Sequence, residues 1–419
     1  MRNSGPNKDP GAFRMLQSDT PPAPAVERIA TLDLVRGLAV LGILAVNAGG
    51  FAATLSAYGS PGLWPFPDTG ASATAQWIVD ALFHQKFISL FSMLFGASLF
   101  LVGGERADVQ RGRRLRRRLA WLAVIALIHG LAIWWGDVLL LYAWSGLFVM
   151  LARSWRPVIL FRVGLVLFGL FSLVQIVGPL SLYFAPADVQ ARLAAELTPT
   201  AAQIAQVRAD IAEAAGSLAG AYRQNFSAWV ELQLSSLMVF VFPTVGLMMI
   251  GLGLFKTGFL GGALSVRLYR GVVAAGAVAL AVVCGLTWLD DMAHARMLWT
   301  AGIEGLLNPL IGLGYASILI LLWKADRAGG LRPLAAAGQM ALSNYLAQSI
   351  IMTSLFWGGR GLGLMGQVDR PMLWAVVIGV WTLQLIWSPL WLSRFAMGPA
   401  EWVWRCLTYG RRLPMRKPA

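Results

Sequence analysis

The stretch Leu127-Ile-His129-Gly-Leu-Ala-Ile-Trp-Trp-Gly-Asp137 places a histidine and an aspartate inside an apolar run long enough to cross a bilayer. Ionisable groups at such depth are energetically costly, so they usually serve chemistry, transport or a buried pair. A His–Asp pair offers a general base with a carboxylate that orients it. His129 and Asp137 are therefore candidate catalytic residues. The alternative is a neutral histidine that is bonded to a backbone carbonyl and has only a structural role.

The composition around this stretch is that of a membrane protein. Of the 419 residues, 57% are hydrophobic and 13% are charged, against roughly 25% charged residues in average soluble chains. The predicted fold class is therefore all-α, a polytopic bundle of about ten transmembrane helices. The net charge of +14 lies mostly in short loops, which membrane topology explains better than nucleic-acid binding does. Cys284 lies in an apolar run and Cys406 in a basic tail, so neither a disulfide nor a metal site is predicted.

The ten predicted spans are apolar runs close to the length of about 20 residues that a spanning helix needs. They cover residues 32–54, 80–102, 116–135, 138–152, 158–183, 228–255, 271–289, 298–323, 334–357 and 372–396. Residues 1–30 contain several prolines and scattered charge, which predicts a disordered cytoplasmic tail. We expect one integrated bundle over 31–409 and a basic cytoplasmic tail over 410–419.

Lysine and arginine residues predict the direction in which the chain crosses the membrane. The loop 103–118 carries seven arginines, and placing it in the cytoplasm puts both termini inside. All but seven of the 34 Lys and Arg residues then lie on the cytoplasmic side of the membrane. Topology and contact with anionic membrane lipids explain the arginine run. The alternative is a docking patch for a phosphate-rich cytoplasmic substrate.

The one long connection, about 185–227, falls on the outer side in this topology. Apolar residues between Ile204 and Tyr222 recur in it at three- and four-residue steps, with polar residues between them. This pattern is typical of an amphipathic helix. We expect the helix to lie on the outer leaflet or to cover an extracytoplasmic site.

Polar residues of the first span share one face of a helix. Asp33 and Arg36 are three positions apart, so they can pair. Asn47 follows Arg36 by eleven positions, which is close to three full turns. The pair is either structural at the cytoplasmic interface, or Arg36 binds a phosphate or carboxylate while Asn47 hydrogen-bonds a ligand deeper in the bundle.

Two clusters of ionisable residues lie at the predicted outer ends of spans. His84 and Lys86 belong to the outer mouth of the second span, where we expect exposure to solvent. Asp290, Asp291 and His294 follow the seventh span and are expected to lie in water.

The eighth and ninth spans carry amide and carboxylate side chains at helical spacing. Asn344 and Gln348 are one turn apart in the ninth span, and Glu304 and Asn308 form a similar pair in the eighth. Such residues must face the interior of the bundle. They either hold helices together or line a polar cavity.

Five blocks occur in order between about residues 28 and 409. They are Asp33-Leu-Val-Arg36-Gly-Leu-Ala-Val-Leu-Gly-Ile-Leu-Ala-Val-Asn47, Lys86-Phe…Leu90-Phe-Ser-Met-Leu-Phe-Gly96, Ile128-His129-Gly…Trp135-Gly-Asp137-Val-Leu, Gly338-Gln-Met-Ala-Leu-Ser-Asn344-Tyr-Leu-Ala-Gln348-Ser and Gly398-Pro-Ala-Glu401-Trp-Val-Trp-Arg405. In this order they resemble the YeiB-like membrane proteins, the family of domain of unknown function 418. The resemblance covers nearly the whole chain.

The resemblance implies a multi-span inner-membrane protein. The family is similar to the transmembrane acyltransferases, which include heparan-α-glucosaminide N-acetyltransferase and the acyltransferase-3 enzymes. Those enzymes move an acyl group from cytoplasmic acyl-CoA to an acceptor on the far side of the membrane. The resemblance therefore implies acyl-CoA as a co-substrate and no permanently bound cofactor. His84 occupies roughly the region of their acceptor-side histidine, whereas His129 belongs to the YeiB-like pattern.

The first functional hypothesis is acyl transfer. Acyl-CoA docks against Arg36 and the arginine run, and His129, oriented by Asp137, acts as general base on an extracytoplasmic acceptor. Asn47 and Asn344 donate hydrogen bonds to the thioester carbonyl. The residues predicted to bind substrate or cofactor are Asp33, Arg36, Asn47, Lys86, Asn344 and Gln348.

The second hypothesis is a transporter or permease for a small polar solute. Its intramembrane Asp, His and Glu side chains would form a path for the substrate or for protons. Broken helices are typical of such proteins, and Gly136 and Pro309 are candidate break points. A third hypothesis is a scaffold whose polar interior only specifies packing. No GxxxxGK[ST] phosphate-binding loop occurs in the sequence, so an ATP-driven role is not expected.

Overall fold

The computed structural model describes residues 30–417, apart from 294–297, 326 and 328. Its regular secondary structure is helical throughout this range. The predicted all-α fold class is therefore confirmed. The tail predicted over 1–30 lies outside the described residues except for Ala30.

Seventeen α-helices follow one another in the described chain. The first nine are α1 (Ala30–Ala52), α2 (Leu55–Gly59), α3 (Gly70–Leu82), α4 (Lys86–Gly103), α5 (Val109–Ala132), α6 (Leu139–Ala152), α7 (Pro157–Ser181), α8 (Ala187–Leu197) and α9 (Ala201–Gly216). The other eight are α10 (Leu218–Ser235), α11 (Val241–Lys256), α12 (Val266–Asp291), α13 (Thr300–Lys324), α14 (Arg332–Gln339), α15 (Ala341–Phe356), α16 (Arg370–Arg394) and α17 (Pro399–Tyr409).

Seven helical segments of the described residues are long and apolar enough to cross a membrane. They are Ala30–Ala52, Gly70–Gly103, Pro157–Phe184, Leu218–Lys256, Val266–Asp291, Thr300–Lys324 and Arg370–Arg394. The other three predicted spans coincide with α5, α6 and the α14–α15 pair, which are helical but shorter or, in α5, rich in arginine. The chain is thus a helical membrane protein, and the number of ten spans and the side of the termini stay predictions.

Glycine residues allow neighbouring helices to approach closely, as the contacts of α4 with α11 and of α1 with α14 show. A Cβ atom at Gly96 of α4 would lie 1.9 Å from the carbonyl oxygen of Met248 on α11. A Cβ atom at Gly338 of α14 would lie 1.9 Å from the carbonyl oxygen of Asp33 on α1. These helices pack backbone against backbone, as small residues commonly permit in membrane bundles.

One end of the bundle joins the arginine-rich start of α5 to the C-terminal helix α17. The Arg118 guanidinium carbon lies 3.8 Å from the centre of the Trp404 ring, and Trp404 Nε1 donates to the Arg118 carbonyl at 2.9 Å. Glu401 accepts hydrogen bonds from the backbone N–H groups of Leu342 at 2.7 Å and Ser343 at 3.1 Å. Its carboxylate therefore satisfies donors at the start of α15 that the helix itself leaves free.

The described part of the predicted basic tail, 410–417, folds back against the end of α16. The backbone N–H of Ala396 donates to the Met415 carbonyl at 2.9 Å, and the N–H of Lys417 donates to the Arg394 carbonyl at 3.2 Å. The arginine-rich end is thus closed by chain segments from both halves of the sequence.

The opposite end of the bundle holds the C-terminal ends of α1 and α5. Trp134, just beyond α5, donates from Nε1 to the Gly50 carbonyl of α1 at 3.3 Å. The charge distribution predicts that this end faces away from the cytoplasm, and it is called the outer end below. Gly136 lies between α5 and α6, whereas α13 continues through Pro309.

The outer segment predicted as one amphipathic helix over 185–227 forms α8, α9 and the start of α10. Side-chain oxygens of Thr200 and Ser217 cap α9 and α10, which explains why the segment is divided. The Gly358 N–H donates to the Ala214 carbonyl of α9 at 2.9 Å. Val207, Ile211 and Ala214 are buried, so one face of α9 packs on the rest of the protein. The expected positions of the segment, on the outer leaflet or over an extracytoplasmic site, stay predictions.

Candidate functional site

The candidate site is built on a break between α3 and α4, within the predicted second span. α3 ends at Leu82 and α4 begins at Lys86, so Phe83, His84 and Gln85 lie outside both helices. Gln85 has φ 63°, and among the described residues no other non-glycine residue has a positive φ. This backbone costs a non-glycine residue roughly 1–2 kcal/mol. Strain of this kind clusters at functional sites, which directs attention to His84 beside it.

The side chains of Asp80 and its neighbours fix the geometry of the break. Asp80 precedes His84 by one helical turn, and its Oδ1 lies 3.7 Å from His84 Nδ1. Gln76 Nε2 donates to the other Asp80 carboxylate oxygen at 2.7 Å. Lys86 Nζ donates to the Asp80 backbone carbonyl at 2.7 Å, an acceptor near the end of α3. The imidazole therefore lies beside a carboxylate that other groups hold in place.

Exposure was expected for both His84 and Lys86, and it is found only for the histidine. The His84 side chain is 45% exposed, whereas Lys86 is 1% exposed. Lys86 is buried because its amine turns back to the carbonyl at the end of α3. Its contact is that of a helix-capping side chain, and its predicted role in substrate binding stays a prediction.

His84 lines a cavity of about 550 Å³ at the outer end of the bundle. The walls come from α1, α2, α3, α12, α13 and α16 and from the connection between α2 and α3. Tyr58, Trp64 and Trp374 contribute aromatic surface to it. The volume lies within the range of roughly 300–1,000 Å³ that small-molecule sites occupy. The cavity is therefore large enough for a small polar molecule to reach the imidazole.

Carboxyl groups dominate the ionisable lining of this cavity. The acidic residues that line it are Asp68, Asp80, Asp290, Asp291 and Glu304. Among the described residues, its basic side chains are His84 and Arg370, and Arg370 Nη1 lies 2.5 Å from Asp68 Oδ1. Asp290 and Asp291 at the end of α12 are half-buried and line this cavity, and their expected contact with water stays a prediction. The nearby His294 lies outside the described residues.

The predicted catalytic pair, His129 and Asp137, lies in contact outside this cavity. His129 Nδ1 is 3.0 Å from Asp137 Oδ1, and both side chains are fully buried. His129 Nε2 is 2.9 Å from Ser349 Oγ, and Asp137 Oδ2 accepts from the Leu140 N–H at 2.9 Å. Because an ionised carboxylate only accepts, Nδ1 is the donor to Asp137, and Nε2 lies within hydrogen-bond distance of the serine hydroxyl. Both ring nitrogens thus have protein partners, and the catalytic role of the pair stays a prediction.

Asn344 and Gln348 face the interior and connect neighbouring helices. Asn344 Nδ2 donates to Ser388 Oγ at 3.1 Å and to a carbonyl of α14 at 3.0 Å, and its Oδ1 accepts from Trp387 Nε1 at 2.7 Å. Gln348 Nε2 donates to Gln384 Oε1 at 2.9 Å and to a carbonyl of α1 at 3.1 Å. The amide donors of Asn344 are therefore used within the protein. A bond from Asn344 to a thioester, which stays a prediction, requires one of these bonds to break.

The polar residues of the first span lie at opposite ends of α1. Arg36 Nη1 is 3.0 Å from Asp33 Oδ1 at the arginine-rich end, as their spacing predicts. Asn47 is partly exposed at the outer end, between Val46 and Ala48, which both line the cavity. Among the described residues the lining does not include Asn47, so its role in ligand binding stays a prediction.

The comparisons with known proteins identify the family. A model described as "Protein of unknown function (DUF418)" matches residues 254–411. Uncharacterized protein YeiB of Escherichia coli (strain K12) is 35% identical over 398 residues, which cover 91% of this chain and 97% of that protein. The chain belongs to the YeiB-like DUF418 family. Uncharacterized protein YxaH of Bacillus subtilis (strain 168) is 30% identical over 407 residues, which cover 93% of this chain and 96% of YxaH. No solved structure matches.

A local pattern in the sequence of this DUF418 protein indicates the pairing of Asp80 with His84, which the sequence analysis did not predict. The run Phe83-His-Gln-Lys86 interrupts an apolar segment, and Asp80 precedes the histidine by four positions. That spacing predicts two side chains on one helix face. Asp68, Asp290 and Glu304 reach the same cavity from distant parts of the chain, and no local pattern brings them together.

Proposed function

We propose that this protein is a membrane-bound acyltransferase that passes an acyl group from cytoplasmic acyl-CoA to an acceptor in the outer cavity. The observation that carries the proposal is the position of His84, a partly exposed histidine on a strained helix break, 3.7 Å from the Asp80 carboxylate. A histidine beside a carboxylate, in a cavity that admits a small molecule, is suited to general base catalysis. The similarity of the family to the transmembrane acyltransferases suggests acyl-CoA as the donor.

The arginine-rich end offers a docking surface for the donor. Arg113 and Arg116 are exposed on α5, and Arg36 is partly exposed at the start of α1. Guanidinium groups bind phosphates through paired, charge-assisted hydrogen bonds. α1 rises about 18 Å between Arg36 and Ala48 at 1.5 Å per residue. The acyl-pantetheine arm has to cover this depth to present its thioester to the cavity.

The reaction proceeds by attack of an acceptor oxygen or nitrogen on the thioester carbonyl carbon. His84 takes the proton of the acceptor, and the nearby Asp80 carboxylate stabilises the imidazolium that forms. The carbon–sulfur bond breaks, the thiolate of CoA takes up a proton, and the acyl group remains on the acceptor as an ester or amide. We favour His84 over His129 as the base because the buried His129 must change its surroundings to meet an acceptor.

The test is release of free CoA from acetyl-CoA by the purified protein, supplied with a panel of small hydroxyl and amine acceptors. His84→Ala should abolish the release, and Asp188→Asn, on the exposed surface of α8, should retain it. A folded His129→Ala variant without activity, together with an active His84→Ala variant, would identify His129 as the base. The absence of release by the unmodified protein with every acceptor would contradict the proposal.

A transporter for a small polar solute is the second candidate, and the helix break favours it. Secondary transporters commonly build their substrate sites from discontinuous helices. Solute uptake into proteoliposomes without acyl-CoA, with loss of uptake in Asp80→Asn, would support this function. Asp137→Asn tests in the same assay whether the buried pair belongs to the path.

A further inference from the structure

We propose that a groove on the outer surface of α12 and α13 binds one anionic phospholipid from the leaflet at the arginine-rich end. The groove has a volume of about 450 Å³. Its lining comes from the first half of α12, with the preceding Ser265, and from Leu310 of α13. It shares no lining residue with the outer cavity, so the inference does not depend on the reaction at His84.

The groove faces lipid rather than other helices. α12 is long and apolar enough to span a membrane, and only 22% of the residues in its apolar stretch are buried inside the protein. Leu268, Gly271 and Ala275 line the groove and are exposed. A Cβ atom at Gly271 would meet nothing within 4 Å, so the missing side chain leaves open space there. In a bilayer, an acyl chain is the neighbour that fills such a space.

The length of the groove matches the thickness of one leaflet. From Ser265 to Ala275 the helix rises about 15 Å at 1.5 Å per residue. The hydrocarbon core of a bilayer is about 30 Å thick, of which each leaflet supplies half. Thr31 Oγ1, at the start of α1, donates to the Leu260 carbonyl at 2.9 Å, which places the start of α12 at the arginine-rich end. The groove therefore runs from that membrane surface to about the middle of the bilayer.

Positive charge lies at the membrane-surface end of the groove. Arg267 lines this end, and Arg270 is exposed one turn further along α12. Within the described part of the chain, neither guanidinium has an ion pair or a hydrogen bond. Residues 257–289 contain no Asp or Glu, and α13 contains none after Glu304. A lipid phosphate can therefore pair with Arg267 without competition from a carboxylate on either helix of the groove.

Charge and shape together favour an anionic phospholipid over other occupants. A free phosphate ion pairs with a guanidinium but leaves the apolar length of the groove empty. An apolar helix fills the groove but leaves the arginines without a counter-charge. A phospholipid with a net negative headgroup supplies both the acyl chain and the charge. A zwitterionic headgroup carries a positive charge of its own, which offsets its attraction to basic residues at the membrane surface.

Native mass spectrometry of the full chain in detergent measures the affinity for the first lipid molecule that binds. Phosphatidylglycerol and phosphatidylcholine with identical oleoyl chains differ in the net charge of the headgroup. Arg267→Gln removes the positive charge, and Arg162→Gln on the exposed surface of α7 is its matched control. Gly271→Leu fills the groove. Gly169→Leu on α7 is the control for it, since a Cβ atom at either glycine meets nothing within 4 Å. Size-exclusion chromatography shows whether each variant remains folded and monodisperse.

We expect phosphatidylglycerol to bind about fivefold more tightly than phosphatidylcholine, which is the contribution of one basic side chain at a membrane surface. Arg267→Gln should remove this preference, and Gly271→Leu should weaken the binding of both lipids. The two control variants should match the unmodified protein.

Three results would overturn the inference. One is equal binding of the two lipids by the unmodified protein. Another is a preference that Arg267→Gln reduces no more than Arg162→Gln does, which would indicate general membrane electrostatics. The third is unchanged binding in Gly271→Leu, which would place the lipid elsewhere. A dimer of the unmodified protein that is lost in Gly271→Leu and kept in Gly169→Leu would assign the groove to a second copy of the chain and also overturn the inference.

Discussion

His129 Nδ1 lies 3.0 Å from Asp137 Oδ1, and this contact joins the end of α5 to the short connection that precedes α6. Both side chains are fully buried. Asp137 also accepts from the Leu140 N–H, so its carboxylate orients the first turn of α6 as well as the imidazole. A histidine beside a carboxylate is typical of a catalytic pair, whereas full burial is typical of a structural pair. The two roles predict different effects of substituting these residues.

We expect His129→Ala to lower stability. The substitution leaves a buried carboxylate without its imidazole partner, and loss of one member of a buried pair costs roughly 3–5 kcal/mol. Thermal unfolding of the purified protein in detergent measures the effect. His84→Ala should cost less stability than His129→Ala, because the His84 side chain is 45% exposed. A His129→Ala protein that unfolds at the temperature of the unmodified protein would contradict the structural role.

Two substitutions of Gln85 should have different effects on stability. Glycine relieves a left-handed strain of roughly 1–2 kcal/mol but loses about 0.5–1 kcal/mol through greater freedom in the unfolded chain. Gln85→Gly should therefore leave stability unchanged or raise it slightly, whereas the β-branched Gln85→Val should lower it. Their unfolding temperatures test this order. A more stable valine variant would show that the break does not need φ 63° at this position.

Gly96→Ala should weaken the contact between α4 and α11. The new methyl group would lie 1.9 Å from the Met248 carbonyl oxygen, so one helix must move. Overpacking of this kind typically costs about 1–3 kcal/mol. Gly169→Ala on α7 is the control, because a Cβ atom there meets nothing within 4 Å. The control should match or exceed the stability of the unmodified protein, and equal losses in both variants would argue against specific packing at Gly96.

Glu401→Ala should loosen the attachment of α17 to α15. The carboxylate accepts from two backbone N–H groups and from the Ser343 hydroxyl. Removing the side chain leaves helix-start donors unsatisfied, which costs about 0.5–2 kcal/mol. Glu401→Gln keeps one oxygen acceptor and should lose less. Hydrogen exchange at the start of α15 measures the change locally, and protection that is unchanged in the alanine variant would refute the capping role.

The helical fold could be predicted largely from the sequence, because long apolar runs indicate helices that are buried in lipid or in the core of a bundle. The pairing of Asp33 with Arg36 follows from helical spacing, and the two residues are in contact. His129 and Asp137 also meet, because the chain turns between α5 and α6. The burial of Lys86 could not be predicted, since the carbonyl that receives its amine becomes available only at the end of α3.

The cavity lay beyond sequence reasoning for a similar reason. Asp68 is far along the chain from Asp290 and Glu304, and the three meet because the connection before α3 approaches the facing ends of α12 and α13 at the outer end. The amphipathic pattern over 185–227 indicated helical structure correctly. It could not show that the apolar side of α9 packs against other parts of the same chain.

Acyl transfer across a membrane tests most directly whether the cavity at His84 is the site of transfer. Proteoliposomes are loaded with radiolabelled acetyl-CoA, a small acceptor is supplied outside, and the labelled acceptor is measured in the external medium. We expect acylated acceptor to accumulate outside with the unmodified protein and with Asp188→Asn, and to be lost with His84→Ala. Wild-type levels of product in His84→Ala, or no labelled product from the unmodified protein, would contradict the claim that the cavity at His84 is the site of transfer.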